Sequence, residues 1–512
     1  MNSKRPNILI ILADDLGWGD VGFHGTDQIP TPNIDLLAST GIILNNYYIS
    51  PICSPSRAAL LTGYHPIHTG MQVGVIGSAT PYGLPLNFPT MGDYFRELGY
   101  YTHLVGKWHQ GMFKIEYFPT RRGFDTFFGY LTGHSDYYSR VGGDNWHGYD
   151  FREQEERGDI DKYAGQYSTD MYTDRVIQLI QQHQNLSDPF FIYFAPQSVH
   201  SGTFKSIQPP NEYEDKFYWI KDEKRRNFAA MVTALDDSIG MVFRALHDTG
   251  LLDDTIIFFS NDNGGSSGNN RGQYIDNSRG SNYPLKGSKY TLWEGGVRGT
   301  AFFWFSQFNR PYVSNQLIHL TDILPTLYTA VGGDQSKMNS VDGIDQWSAL
   351  INEATEQVRE HLLHNIDHSG NFWAVRYQNY KLTYGTWGGG KWDVWYEAPG
   401  QTDEQAPTCY NCSNVYQVLE QRMQLPSYIT RISIQCNQTI PVDSNGVNQL
   451  QLFNLENDPC EMDNLIEKEP EIVDKILEIF KIYDSTYQTP VNKGTDPRAN
   501  PALHDGWISP WE

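Results

Sequence analysis

Asn7–Asp15 reads NILIILADD. From Ile8 to Ala13 every residue is apolar, and nothing alternates. A strand with one wet face alternates; a strand apolar throughout is buried on both faces, as in a parallel sheet covered by helices. The run stops at Asp14 and Asp15. Three other short apolar runs end in the same way. Tyr101–Val105 leads into Gly106-Lys107-Trp108-His109, Phe190–Ala195 precedes a loop carrying His200, and Thr255–Phe259 runs into Asn261-Asp262-Asn263-Gly264-Gly265. Residues 170–183 and 227–246 carry apolar side chains at helical spacing between these runs. Strands alternating with helices predict an α/β fold, with a large, mostly parallel sheet sandwiched by helices. Ligands of such sheets bind beyond the carboxyl ends of the strands. Four polar clusters spread over more than two hundred residues are therefore expected to meet at one place.

A fifth stretch, CSPSRAALLTG at 53–63, supplies a reactive side chain. Pro55 suits a first helical turn, Ala58–Leu61 continue the helix and Gly63 can end it. Cys53 is thereby set at a helix N-terminus, where backbone N–H groups and the helix dipole attract anions, and Arg57 adds a planar cation one turn on. A lone cysteine is more often a small buried hydrophobe. A cysteine beside an anion cradle is what attack on an anionic ester requires.

Asp14, Asp15, Asp262 and Asn263 are all oxygen donors. Carboxylates with an amide carbonyl suit a hard cation, calcium better than magnesium where most ligands come from protein. Each cluster alone is an ordinary turn after a strand; their joint presence with Cys53 points to a site. Lys107 and His109 lie two apart and face the same crevice in this reading. Lys286 and Lys289 fall in PLKGSKYTLWEGGVRG, a locally basic, glycine-rich stretch of an acidic chain. Tyr137, Tyr138, Trp146 and Trp293 are candidate pocket aromatics.

These stretches resemble type I sulfatases over nearly the whole chain, and the arylsulfatase B (N-acetylgalactosamine-4-sulfatase) group in particular. PNILIILADDLGWGDVGFHG, CSPSRAALLTG, VGKWHQGM, PTRRGFDTFFGY, QSVH, SNDNGG, LWEGGVRG and the late FNLENDPCEMDNL follow that family's blocks in order. The resemblance implies an alkaline-phosphatase-like fold and a calcium ion held by Asp14, Asp15, Asp262 and Asn263, with Cys53 next to the metal. It implies that Cys53 is converted to formylglycine by a formylglycine-generating enzyme. One hydroxyl of the hydrated aldehyde attacks sulfur and the other, deprotonated by His109, collapses to expel sulfate. Arg57 fixes the hydroxyl that does not attack, Lys107, His200 and Lys289 bind sulfate oxygens, and His200 or Lys289 protonates the leaving alcohol. One departure stands out: Ser201-Gly202 follow His200 where that group has an acidic residue and a proline.

The 512 residues suffice for a catalytic α/β domain over 1–355 and a smaller C-terminal α+β subdomain over 356–512. In the latter, WAVRYQNYKLTYG, WDVWYEA and 449–455 read as antiparallel strands, and 469–483 as an amphipathic helix. The segment from Ala398 to Asn448 reads as irregular. With 39% hydrophobic and 14% aromatic residues the chain is globular. It has no apolar run of the roughly 20 residues that span a bilayer. MNSKRP leads straight into the first strand without a signal-peptide core, as in a mature form with an added methionine. A net charge of −22 excludes a general nucleic-acid binder and tilts the substrate towards small or terminal sulfate esters.

Cys409, Cys412, Cys436 and Cys460 are expected to form two disulfides, with three pairings open. Asn185, Asn411 and Asn437 begin glycosylation sequons, so a secreted or lysosomal location is expected. The reading is thus a sulfatase for sugar sulfates or small sulfate esters. The alternatives are a glucosinolate sulfatase on the same scaffold, a phosphoesterase of the same superfamily, and a non-catalytic binder of sulfated glycans.

Overall fold

The computed structural model describes residues 5–213, 216–269, 272–338, 340–396, 398, 408–425, 429–436 and 448–512. Ten strands form the main sheet, in the order Tyr312–His319, Ile42–Tyr48, Phe302–Trp304, Thr255–Asn261, Asn7–Ala13, Phe190–Ala195, Tyr101–Lys107, Thr126–Tyr130, Arg152–Glu153 and Glu156–Arg157. Only Phe302–Trp304 and Arg152–Glu153 run against the rest. The four apolar runs that the sequence singles out are consecutive neighbours at the centre, all parallel.

The lack of alternation in the Asn7 strand has its explanation in the two layers around it. Leu9, Ile11 and Ala13 enter one core with Phe190, Ile192, Phe194, Ile257 and Phe259. Ile8, Ile10 and Leu12 enter the other with Phe191, Tyr193, Ile256 and Phe258. Helices Pro32–Thr40, Ser168–His183 and Glu223–Asp248 cover the first face through residues such as Leu37, Val176, Ile180, Leu235 and Ile239. Helices Cys53–Thr62, Met91–Glu97 and Ile323–Ala330 cover the second through Leu60, Phe95 and Leu327. Burying one such side chain contributes roughly 1.5–3 kcal/mol, so a polar residue placed in any of these central strands disrupts one layer or the other.

The second sheet is an antiparallel meander of His361–Asp367, Phe372–Tyr377, Tyr380–Tyr384 and Leu450–Asn454. Helix Pro470–Ser485 lies on one face, where Ile476 and Ile479 meet Leu363, Ile366, Val375, Leu382 and Leu452. The other face sets Leu362, Phe372 and Ala374 against Tyr48, Leu292, Val297 and Leu317 of the main body.

Two expectations are corrected here. His361–Asp367 is a strand although its sequence did not single it out, and the described residues of WDVWYEA, 392–396 and 398, form none. In the latter stretch Val394 O accepts from Gly287 N at 2.9 Å and Trp395 Nε1 donates to Cys460 O at 2.6 Å. Its aromatic residues thus serve contacts with the 286–293 loop instead of a ladder. The cysteines pair as Cys409–Cys412 and Cys436–Cys460. Asn185 and Asn411 are exposed; Asn437 lies outside the described residues, as does part of the segment read as irregular, whose described part contains the short helix Asn414–Leu419. No helix among the described residues is long and apolar enough to cross a membrane.

Candidate active site

Because Ala13 pairs with Asn261 in register, Asp14 and Asp262 leave the sheet side by side. Asp15 N donates to Asp262 Oδ1 at 3.2 Å. Helix Cys53–Thr62 begins at Cys53 itself and ends at Gly63, whose left-handed φ of 72° closes it. The start of that helix meets the strand ends: Cys53 Sγ is 3.9 Å from Asp14 Oδ1. One ligating atom each of Asp14, Asp15, Cys53 and His200 lie within 4.8 Å of one another, all buried.

Three cations answer the three aspartates. Lys107 Nζ is 2.7 Å from Asp14 Oδ2. Arg57 reaches Asp262 Oδ2 with Nη2 at 2.8 Å and Nε at 3.1 Å, and stands 3.6 Å from Asp14. Lys289 Nζ bridges Asp15 at 2.9 Å and Asp276 at 3.0 Å, and donates to His200 Nε2 at 3.2 Å. Asn263 Nδ2 and Ser266 Oγ donate to Asp15 at 2.7 and 2.8 Å.

The bonds fix the protons. Burial alone would raise the Asp15 carboxyl, but Lys289 together with these hydrogen bonds holds it below the usual range. Burial, reinforced by the charge of Asp14, pushes Asp262 up. Asp15 and Asp276 keep the buried Lys289 charged against its desolvation. Burial and then Lys289 bring His200 down to about 4, so its imidazole is neutral. His200 Nδ1 donates to Ser201 O at 2.9 Å, which leaves Nε2 as acceptor. His109 is likewise neutral, lowered by burial and then by Lys107 and Arg57. Its Nε2 donates to Ile76 O at 3.0 Å, leaving a bare lone pair on Nδ1, which has no partner. The Cys53 thiol is pushed up by burial, against Lys107 and Lys289.

Four non-glycine residues of the site hold left-handed backbone: Asp15 at φ 60°, His109 at φ 55°, Asp276 at φ 52° and Tyr290 at φ 76°. Such strain in residues other than glycine collects where surrounding structure imposes a function. Gly133 makes room for the His109 ring, since a Cβ there would stand 2.9 Å from Cε1.

Three buried polar atoms here lack partners: Asn263 Oδ1, Arg57 Nη1 and His109 Nδ1. An unpaired amide oxygen among buried carboxylates is the donor set of a hard cation, so Asp14, Asp15, Asp262 and Asn263 fit such an ion. A cavity of about 250 Å³ opens above them, with Cys53, His109, His200 and Lys289 in its wall and Val75, Gly133, His134, Asp144, Ser201, Gly202, Ser206, Asp276 and Tyr290 around it.

A reactive side chain, a cation-type donor set and three buried positive groups thus lie together beneath one small cavity, with Cys53 and Lys289 in its wall. The sulfatase family model matches residues 6–333. The chain belongs to the sulfatase family. It is 36% identical to arylsulfatase J of Mus musculus over 521 residues, covering 99% of this chain and 81% of that one. It is 31% identical to N-acetylgalactosamine-6-sulfatase of Homo sapiens over 366 residues, 68% of this chain and 66% of the relative. The crystal structure of Ps i-CgsB in complex with k-i-k-neocarrahexaose superposes with a TM-score of 0.73 at 25% identity, covering 95% and 94% of the two chains. This sulfatase is therefore a sulfuric ester hydrolase with the expected fold.

The structure brings Asp14, Asp15, Cys53, Arg57, Lys107, His109, His200, Asp262, Asn263 and Lys289 together at the strand ends. Others were not foreseen. Ser266 and Asp276 complete the partners of Asp15 and Lys289, and His134 stacks beside His200 with ring centroids 6.1 Å apart. Ser266 adjoins the DNGG turn; Asp276 has no spacing signal at all. Lys286 is no part of the site. It packs 3.4 Å over the Trp293 ring, and burial lowers it to about 8. None of the four candidate aromatics lines the cavity. Tyr137 lies beneath it, its hydroxyl donating to His200 O at 2.9 Å, and Tyr290 takes the wall position instead.

Proposed function

We propose that this sulfatase cleaves sulfate monoesters with a formylglycine made from Cys53 and one calcium ion, in the manner of the arylsulfatase B group. The observation that carries the reading is the convergence of Cys53 with Asp14, Asp15 and His200 within 4.8 Å, beside an unpartnered Asn263 Oδ1. When present, the formylglycine hydrate supplies the nucleophile and calcium offsets negative charge at the sulfate. Asp14, Asp15, Asp262 and Asn263 would hold the ion. Lys107 and Lys289 offer N–H donors to sulfate oxygens, and Arg57 Nη1 keeps a free N–H for the hydroxyl at position 53. His109 Nδ1 would accept a proton from that position, and Lys289 Nζ, 3.2 Å from His200 Nε2, would give one to the leaving alcohol.

The cavity, at about 250 Å³, is smaller than the roughly 300–1,000 Å³ of sites that engulf drug-sized ligands. It admits the sulfate and the first ring of an ester, which supports terminal sugar sulfates or small esters. The relatives' names and the oligosaccharide held by Ps i-CgsB support the sugar. One observation favours a second reading, a glucosinolate: Ser201 and Gly202, where this chain departs from the arylsulfatase B pattern, form part of the cavity wall. Two disulfides and the sequons support a secreted or lysosomal location.

The test is sulfate release, with calcium and with a chelator, from a sugar monosulfate and from a glucosinolate. The mass of the Cys53 peptide is measured in parallel. Calcium-dependent release with an aldehyde mass at position 53 is expected. Release from protein carrying only unmodified cysteine would refute the nucleophile.

A further inference from the structure

The cavity has a floor and a mouth of opposite character. At the floor Cys53 and Lys289 are each 2% exposed, and Lys107 is fully buried on Asp14 behind them. At the mouth stand two carboxylates: Asp276, 33% exposed at its side chain, and Asp144, 45% exposed. Asp276 is paired with Lys289 at 3.0 Å. Asp144 is held in place but not neutralised. Its Oδ2 accepts from Ser78 N at 2.8 Å, its own N–H donates to Ser78 Oγ at 2.9 Å, and Oδ1 is 3.6 Å from His134 Nδ1. Among the described residues no lysine or arginine pairs with it.

A sulfate monoester seated with its sulfate on the floor points its alcohol at this mouth. The field along the cavity then draws one anion inward and repels a second one outside it. Walls of low dielectric keep such a field from being screened as it would be on an open surface. We infer that Asp144 selects the substrate: the alcohol carries no carboxylate or second sulfate beside the scissile ester. The inference rests on the sulfatase reading and narrows it, from sulfate esters in general to monosulfates of otherwise uncharged alcohols. It bears on uronate-flanked sugar sulfates, which it makes poor substrates.

The test uses 4-carboxyphenyl sulfate and its methyl ester, alike in shape and different by one charge. The preference for the neutral ester is measured as a ratio of kcat/KM in wild-type protein and in Asp144→Asn. Comparing the two proteins on the same pair cancels the intrinsic reactivity of the esters. The ratio is expected to fall about five- to tenfold in Asp144→Asn and to shrink in wild type at high salt. Ser206→Lys, which puts a cation on the same wall, is expected to lower the ratio too. Binding of both esters to full-length Cys53→Ala protein, with and without the Asp144 change, gives the same comparison by calorimetry without turnover. Equal ratios in all three proteins would overturn the inference. Failure of wild-type protein to hydrolyse either ester would count against the sulfatase reading, while the binding arm still decides the role of Asp144.

Discussion

This sulfatase buries two clusters of charge, and they are built to opposite ends. At the strand ends, Asp14, Asp15 and Asp262 face Lys107, Arg57 and Lys289, and three polar atoms stay unpartnered. Between the two sheets, Lys381 sits 3.0 Å from Glu294 and 2.8 Å from Glu461. There Tyr48 donates to Glu294 Oε2 at 2.8 Å, Glu294 N donates to Glu461 Oε2 at 2.8 Å, and Arg376 pairs with the Tyr48 hydroxyl. Both carboxyl oxygens of Glu294 are thereby engaged. Burial in itself is the same in both places. What separates a site from a joint is whether open polar atoms stand beside the cavity: His364, packed on Tyr48 in the joint, also leaves both ring nitrogens unpaired, but it lines no part of that cavity. Unpaired buried groups each cost about 1–3 kcal/mol, and beside the cavity a bound ligand can offset that cost.

The sharpest way to break the comparison is Cys53→Ala. Turnover should fall by at least about 10³-fold, while calcium still raises the unfolding temperature. Sulfate release and a thermal melt on the same sample decide it, and normal turnover would remove the open cluster from the chemistry. Next is Lys381→Met, which strands Glu294 and Glu461. It should cost about 3–5 kcal/mol of stability in urea unfolding while kcat per folded molecule stays at the wild-type value. A loss of kcat instead would mean that the joint shapes the site. A smaller effect is expected of calcium. At a hundredfold excess over its Kd it should stabilise the protein by about 2.7 kcal/mol. That increment should survive Lys381→Met and vanish in Asp14→Asn.

The smallest concerns pH. Burial raises the Glu461 carboxyl from its ordinary 4.5 to about 7, despite Lys381. Glu294, by contrast, is held low, because Lys381 and Arg298 outweigh its burial. For Glu461 the folded state keeps a proton that the unfolded chain gives up. Its contribution is therefore full below about pH 4.5 and is lost as pH rises through about 7. Glu461→Gln should remove about 1–2 kcal/mol of that decline, so its stability relative to wild type rises between pH 5 and 8. A flat difference would place the proton elsewhere.

The open cluster was legible in the sequence because its members follow strands whose own pattern is unmistakable. Asp14-Asp15, Lys107, His200 and Asp262-Asn263 each sit just beyond an apolar run, and a parallel sheet sends all such ends the same way. The closed cluster was not legible. Glu294, Lys381 and Glu461 come from a short helix, a strand and a turn, and nothing in their neighbourhoods marks them as partners. WDVWYEA misled for a related reason. Its β-prone residues answer to Lys286 and Cys460, and strand propensity is only as good as the neighbours it finds. Asp276 and Asp144, which shape the cavity mouth, sit on loops whose path only the folded chain reveals.

The central sheet also acts as a ruler. Neighbouring strands lie about 4.7–4.9 Å apart by the geometry of their hydrogen bonds, and four adjacent ones set the spacing of the groups proposed to grip the sulfate. The mouth is drawn from other segments, at 75–76, 133–144, 200–206, 276 and 290. Change in those loops leaves the ruler untouched. A lineage that inherits this scaffold is thus free to trade one alcohol for another through loop substitutions alone, while the grip on sulfate is handed down intact.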